Sequence, residues 1–309
     1  MNWWCSSTRQ TWTWTPQPYL GSMLIVAAVA AVAAWWALRG RHTDELVAAR
    51  AGVGSADGAV AAPAGSIATS VEGTSRGRTA ALLFGVLGLW AVLDWPLASL
   101  GAGYLATAQM TRQITMVMVV APLLLFATPA PLAVRAIGWG RRLAVLRKMS
   151  RPIFAVPVAA ITLLAVNAPA VVDPLVATPF GAFVMDAAWV FAGFALWLPV
   201  QCPHPGVRRL TGGAAITYLI GQSIVPVLPG FFMTWSDFPI YSTYELAPRV
   251  FQGFDAVTDQ QTAAAVLQVG GMVLLWAQIA YRFLRWSYQQ MEEGSPRRKV
   301  LPGAGTATP

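Results

Sequence analysis

The stretch from Tyr104 to Thr128 is almost wholly apolar, yet it carries Gln109, Arg112 and Gln113. At helical spacing these three side chains and Met116 share about one hundred degrees of arc and form one stripe. A guanidinium facing lipid would cost at least about 2.5–3.5 kcal/mol. The stripe is therefore expected to face a bundle interior or a wet cavity, with an acid beside Arg112. Two acids lie inside apolar stretches at a similar depth, Asp186 and Asp94. Asp186 is the first choice of partner, because a deeply placed charge is retained mainly when it is paired. Asp94 is the alternative; it precedes Trp95-Pro96, where a helix ends or kinks. Asn167 and Gln268 are expected to extend the network, and Gln261, seven residues before Gln268, shares its face.

Other polar groups have local explanations. Thr258 and Gln261 have the spacing of a capping box that opens a helix. Asp237 in WSDFP reads as a turn residue. Cys202 and His204 in QCPHPG are two donors, which do not make a metal site. Met110, Met116, Met118 and Met185 are soft donors in principle, Met110, Met116 and Met185 being the weak metal candidates; methionine more often fills packing gaps. There is no GxSxG, Walker or dinucleotide fingerprint, and both histidines lie outside the apolar stretches. No catalytic constellation is present in the sequence, and the protein is not expected to be an enzyme.

The elements that must hold the stripe follow from composition. Of 309 residues 56% are hydrophobic and only 11% charged, with a mean hydropathy of +0.54; soluble domains carry about 25% charged residues. A span needs about 20 apolar residues, and seven stretches qualify: Tyr19–Leu38, Ala80–Leu100, Tyr104–Thr128, Ile153–Val172, Phe180–Val200, Gly213–Trp235 and Gln260–Leu284. The expected fold is an all-α integral membrane bundle of seven transmembrane helices. LGAG (100–103) reads as a tight turn between the second and third spans.

The net charge of +8 does not point to nucleic acid. Eighteen of the 21 Lys and Arg fall after the first, third and fifth stretches or at the C-terminal end, as in GWGRRLAVLRKMSRP (138–152). The positive-inside rule then puts the C-terminus in the cytoplasm and the N-terminus outside. Residues 1–18 read as a Trp-rich extracytoplasmic segment, its four tryptophans forming an interfacial belt. Residues 19–290 are the membrane domain, with a disordered cytoplasmic loop at 41–78 and an extracytoplasmic cap at 236–259. The tail, 291–309, reads as disordered. Cys5 and Cys202 lie on opposite sides of this topology, so a disulfide between them is not expected.

Several segments, in order and spacing, resemble the CtaG-type cytochrome c oxidase assembly factors of bacteria: WTWTPQPYLGSMLIVAAVAAVAAWWALRG, DWPLASLGAGYLATAQMTRQITMVMVVAPLLLFATPAPL, AGFALWLPV, WSDFPIYSTYELAPR and DQQTAAAVLQVGG. The resemblance covers the chain from about Trp12 to Trp286, apart from the long first loop. It implies a multi-pass protein of the bacterial plasma membrane that takes part in oxidase biogenesis, with an oxidase subunit or a copper chaperone as partner besides the lipid bilayer. It also implies copper as the cofactor, handled by intramembrane histidines. The family's third-span His-x-x-x-His places are Gln109 and Gln113 here, and those of its fifth-span stretch are Ala182, Met185 and Asp186. Amide groups are poor Cu(I) ligands, so the stripe reads as a metal site rebuilt into an ionic and amide network, in which Arg112 replaces the metal's charge and Asp186 neutralises it. An accessory or scaffold role follows. The alternative is a carrier that moves a small molecule or ion through the bundle interior, suited by mid-membrane polar groups and by proline-broken spans such as IVPVLPG.

Overall fold

In a computed structural model the chain is described over residues 3–7, 10–32, 35, 64–225 and 227–294. These residues are mainly helical, with no strand among them. The helices are α1 (Leu20–Val32), α2 (Ala64–Leu93), α3 (Leu97–Gly103), α4 (Ala106–Ala127), α5 (Ala130–Ile137), α6 (Arg141–Met149), α7 (Pro152–Ala165), α8 (Pro169–Val176), α9 (Pro179–Gln201), α10 (Gly212–Gln222), α11 (Val227–Trp235), α12 (Ser242–Glu245) and α13 (Ala256–Met291).

Among the described residues four helices are long and apolar enough to cross a membrane: α4, α9, the α10–α11 pair and α13. At 1.5 Å per residue, α4 and α9 are each about 33 Å long, enough to span the hydrocarbon layer. Two bent pairs bring the number to as many as six, α2 with α3 (44°) and α6 with α7 (78°). Within the first expected span, Tyr19–Leu38, the described residues form the shorter apolar helix α1.

Prolines explain where the elements depart from the apolar stretches. The bend expected at Trp95-Pro96 ends α2 at Leu93. LGAG, expected as a turn, is helical within α3, and the chain reverses instead at Tyr104–Leu105, where Leu105 is extended. The stretch Ile153–Val172 is not one helix. Pro169 forces Ala168 into an extended conformation (φ −70°, ψ 131°), which separates α7 from α8. The loop expected to be disordered at 41–78 lies outside the described residues as far as residue 63, and is helical from Ala64 onward, where no proline interrupts the sequence before Pro96. The C-terminal tail is helical to Gly294 and beyond that lies outside the described residues.

Helix α4 is central. It packs against α2, α3, α9 and α13, and α9 in turn packs against α7 and α8. Its apolar interior face includes Met110, Ile114, Met116, Val117 and Val120. Residues Thr115–Val120 form a π-helical turn. Pro122 has no N–H to offer, and the Ala121 N–H bonds to the Met116 carbonyl, five residues back. The Val117 carbonyl is thereby freed from the helix, and the indole of Trp197 on α9 donates to it at 2.8 Å. A second π-turn, Val266–Gly270, interrupts α13.

The expected cap at 236–259 is folded onto the bundle. Asp173 of α8 accepts from the Ser242 N–H (3.1 Å) and hydroxyl (2.8 Å) and from the Thr243 N–H (3.0 Å). The hydroxyls of Tyr241 and Tyr244 donate to the carbonyls of Asn167 (2.8 Å) and Gly101 (2.7 Å).

Candidate functional site: a buried ion pair among the helices

Gln109, Arg112 and Gln113 are all buried on α4, and Asp186 is buried on α9. Arg112 is 2% exposed, and its Nη2 donates to both oxygens of Asp186 at 2.8 Å. Its Nε donates to the Val92 carbonyl at 2.8 Å, and its Nη1 to Gln109 Oε1 at 3.0 Å. The Trp189 ring, one turn along α9 from Asp186, lies 5.5 Å from the guanidinium carbon, within cation–π range. A charge taken out of water is tolerated when attraction and hydrogen bonds together offset its desolvation, and Arg112 has both. Gly101 makes room for it: a Cβ there would stand 2.9 Å from Arg112 Cδ and 3.0 Å from Gln109 Oε1.

Asp186 is served from a second direction. The Trp4 indole donates to its Oδ2 at 3.0 Å. The interfacial-belt reading therefore does not hold for Trp4, which is 2% exposed, although Trp3 and Trp14 remain exposed. Trp4 enters the bundle because its flat apolar body fills core space beside Phe183 (5.1 Å between centroids) while its N–H finds a carboxylate. Next to it, Cys5 is buried and donates to the Ala98 carbonyl; desolvation pushes its thiol up to about 12.

The other expected members stand apart. Asp94 accepts from the indole of Trp90, four residues earlier, at 3.0 Å and makes no bond to Arg112, whose Nε takes the Val92 carbonyl instead. Asn167 donates locally to the Leu163 carbonyl. Gln268 donates to Thr234 Oγ1 at 3.2 Å, held against Gly230. Gln261 is exposed. The capping box is replaced by a simpler cap, in which Asp255 accepts from the Thr258 N–H at 2.7 Å.

Asp259, two residues before Gln261, has a role that its local sequence hides. Asp259 accepts from the N–H groups of Ala106 (2.6 Å) and Thr107 (3.0 Å), the first two residues of α4. Leu105, the residue before α4, has no side chain able to cap it; the cap comes from α13.

The donor set can be tested against the copper that the resemblance implies. Gln109 Nε2 donates to the Met185 sulfur at 2.9 Å, and both carboxylate oxygens of Asp186 are taken by Arg112 and Trp4. Met110 and Met116 are buried in the apolar core. A permanent cation stands among these groups, and no cluster of three His, Cys, Asp or Glu exists among the described residues. Cu(I) requires sulfur or imidazole lone pairs free to bind; the residues of this site do not fit it.

The sequence model of the cytochrome c oxidase caa3 assembly factor (Caa3_CtaG) matches residues 60–289. The chain belongs to this family. The match runs from α2 into the last turn of α13 and takes in all of the buried network except Trp4 and Cys5. No curated protein and no solved structure matches the chain.

Proposed function

We propose that this caa3 assembly factor works as a membrane-embedded scaffold in oxidase biogenesis, without carrying copper at the Arg112 site and without catalysing a reaction of its own. It sits in the bacterial plasma membrane, crosses seven times and has its N-terminus outside. The basic, exposed surface of α6 (Arg141, Arg142, Arg147, Lys148) supports this orientation as the cytoplasmic end. The end that carries the cap and Trp4 is then extracytoplasmic, and there it meets an oxidase subunit or a copper chaperone.

The observation that carries the scaffold reading is the saturation of Asp186 by Arg112 and Trp4. A site that has spent its acceptors internally holds helices together rather than handing on a metal. The test is deletion of the gene, followed by measurement of assembled oxidase through its haem absorbance and of copper bound to the purified factor. Assembled oxidase falls in the deletion strain and returns with the wild-type gene, while the factor purifies without stoichiometric copper. Normal oxidase levels in the deletion strain would overturn the role in assembly. One copper per chain, lost in Met185→Leu, would overturn the scaffold reading.

A further inference from the structure

Further along α4 from the ion pair lies a second polar region that the Arg112 network does not use. Gln113 on α4, Asn167 just beyond α7 and Gln222 at the end of α10 are each buried, and all three line one cavity of about 20 Å³. That is room for a guest the size of water. Val117 and Met118 from the π-turn of α4, and Leu267 from that of α13, complete the part of the wall that matters here. Wide turns of this kind recur where helices make space for function.

Chemistry fixes the orientation of two of the amides. Asn167 Nδ2 donates to the Leu163 carbonyl at 2.7 Å, and a carbonyl can only accept. Gln222 Nε2 donates to the Tyr218 hydroxyl oxygen at 3.1 Å; that hydroxyl gives its own hydrogen to the Leu196 carbonyl at 2.8 Å, so towards Gln222 it can only accept. The opposite ends, Asn167 Oδ1 and Gln222 Oε1, are therefore oxygens, and neither has a donor. Gln113 Oε1 has none either. Most buried polar atoms in folded proteins are satisfied, and two oxygens of fixed orientation without donors, beside the unbonded Gln113 amide on the wall of the same cavity, call for a guest that donates. No acid or base lines the cavity. A cation or an anion would find no counter-charge in a low-dielectric interior, and an anion would also meet the amide oxygens of Asn167 and Gln222.

We propose that this cavity is a binding site for a small neutral hydrogen-bond donor of water's size, held by Gln113, Asn167 and Gln222. Its apolar wall and its amide oxygens together accept neutral donors and reject ions. The site keeps a hydrated point deep in the bundle, where α4, α10 and α13 meet.

Radiolytic hydroxyl-radical labelling of the full-length protein in nanodiscs tests the proposal, with water as the probe. Radicals form at bound water and oxidise the side chains beside it. Met118 lines the cavity, whereas Met116 is buried two residues away and does not. Met118 is oxidised several-fold faster than Met116, and Gln222→Leu or Asn167→Leu removes the difference. Gln113→Leu is the second variant; it breaks none of the hydrogen bonds described here, so its fold is retained, and it too slows Met118 labelling. Equal labelling of Met118 and Met116 in the wild type would overturn the site. A parallel series replaces sodium by potassium, ammonium or N-methylglucamine. Unfolding temperatures stay the same across the series. A cation-specific shift that disappears in Gln113→Leu would overturn the neutral guest in favour of an ion.

Discussion

The indole of Trp4 donates to Asp186 Oδ2 at 3.0 Å, joining residues 182 positions apart in the sequence. Arg112 meets the same carboxylate from α4. One acid thus ties the N-terminal segment, α4 and α9 together, and its loss should be felt by all three.

The ion pair can be measured by a double-mutant cycle. Arg112→Ala and Asp186→Ala each leave an uncompensated buried charge, which costs about 3–5 kcal/mol. The double variant should be less destabilised than the sum of the singles, with a coupling of roughly 0.5–3 kcal/mol. Thermal or denaturant unfolding in detergent reads both quantities. Simple additivity would mean that the pair contributes no mutual stabilisation.

Trp4→Phe keeps an aromatic body in the core and removes the N–H. A hydrogen bond to a charged group contributes about 1.5–3 kcal/mol, and the variant should lose stability on that scale. In an Asp186→Asn background the same substitution should cost less, because the acceptor is no longer charged. An unchanged unfolding temperature in Trp4→Phe alone would show that packing, not the hydrogen bond, holds the segment.

Asp259→Ala removes the acceptor for the first two N–H groups of α4. The expected loss is about 0.5–2 kcal/mol, as for other helix caps. Hydrogen exchange at Ala106 and Thr107 should rise in the variant. Gln261→Ala, at an exposed position two residues further on, is the control and should stay within about 0.5 kcal/mol of wild type. A larger effect at Gln261 than at Asp259 would reverse the assignment.

The Cys5 thiol is buried and pushed up to about 12 by desolvation, so almost none of it is thiolate near neutrality. A maleimide at pH 8 should modify Cys5 slowly in the folded protein and quickly after denaturation. Trp4→Ala, which opens the neighbouring core, should speed the reaction. Equal rates in folded and denatured protein would place the segment outside the bundle.

Local pattern carried the reading of the sequence as far as local pattern goes. The spacing of Gln109, Arg112 and Gln113 defines one face, and the price of a lipid-facing guanidinium sends that face inward. Asp186 and Asp94 lie at a similar depth; the need of an interior charge for a partner favoured Asp186, Asp94 standing beside the helix end at Trp95-Pro96, and the structure puts Arg112 on Asp186. What depends on distant chain was not legible. Nothing within a turn of Trp4 points to residue 186, and nothing near Asp259 points to residue 106, so the first read as a surface belt residue and the second went unremarked within a capping box. Val92 contributes a backbone carbonyl, which every residue has, and side-chain types cannot signal it. Helix breaks were legible where proline follows an acid, at Asp94-Trp95-Pro96. They were missed at Asn167-Ala168-Pro169, where an apolar stretch continues across the break.

The long-range cap on α4 also sets an order of manufacture. The ribosome makes the start of α4 about 150 residues before it makes Asp259. Until then the two amide hydrogens at the head of the central helix have no carboxylate to bind them. The head of the central helix is therefore completed only once the last long helix has been made, and a chain cut short before Asp259 would leave those two amide hydrogens without their carboxylate.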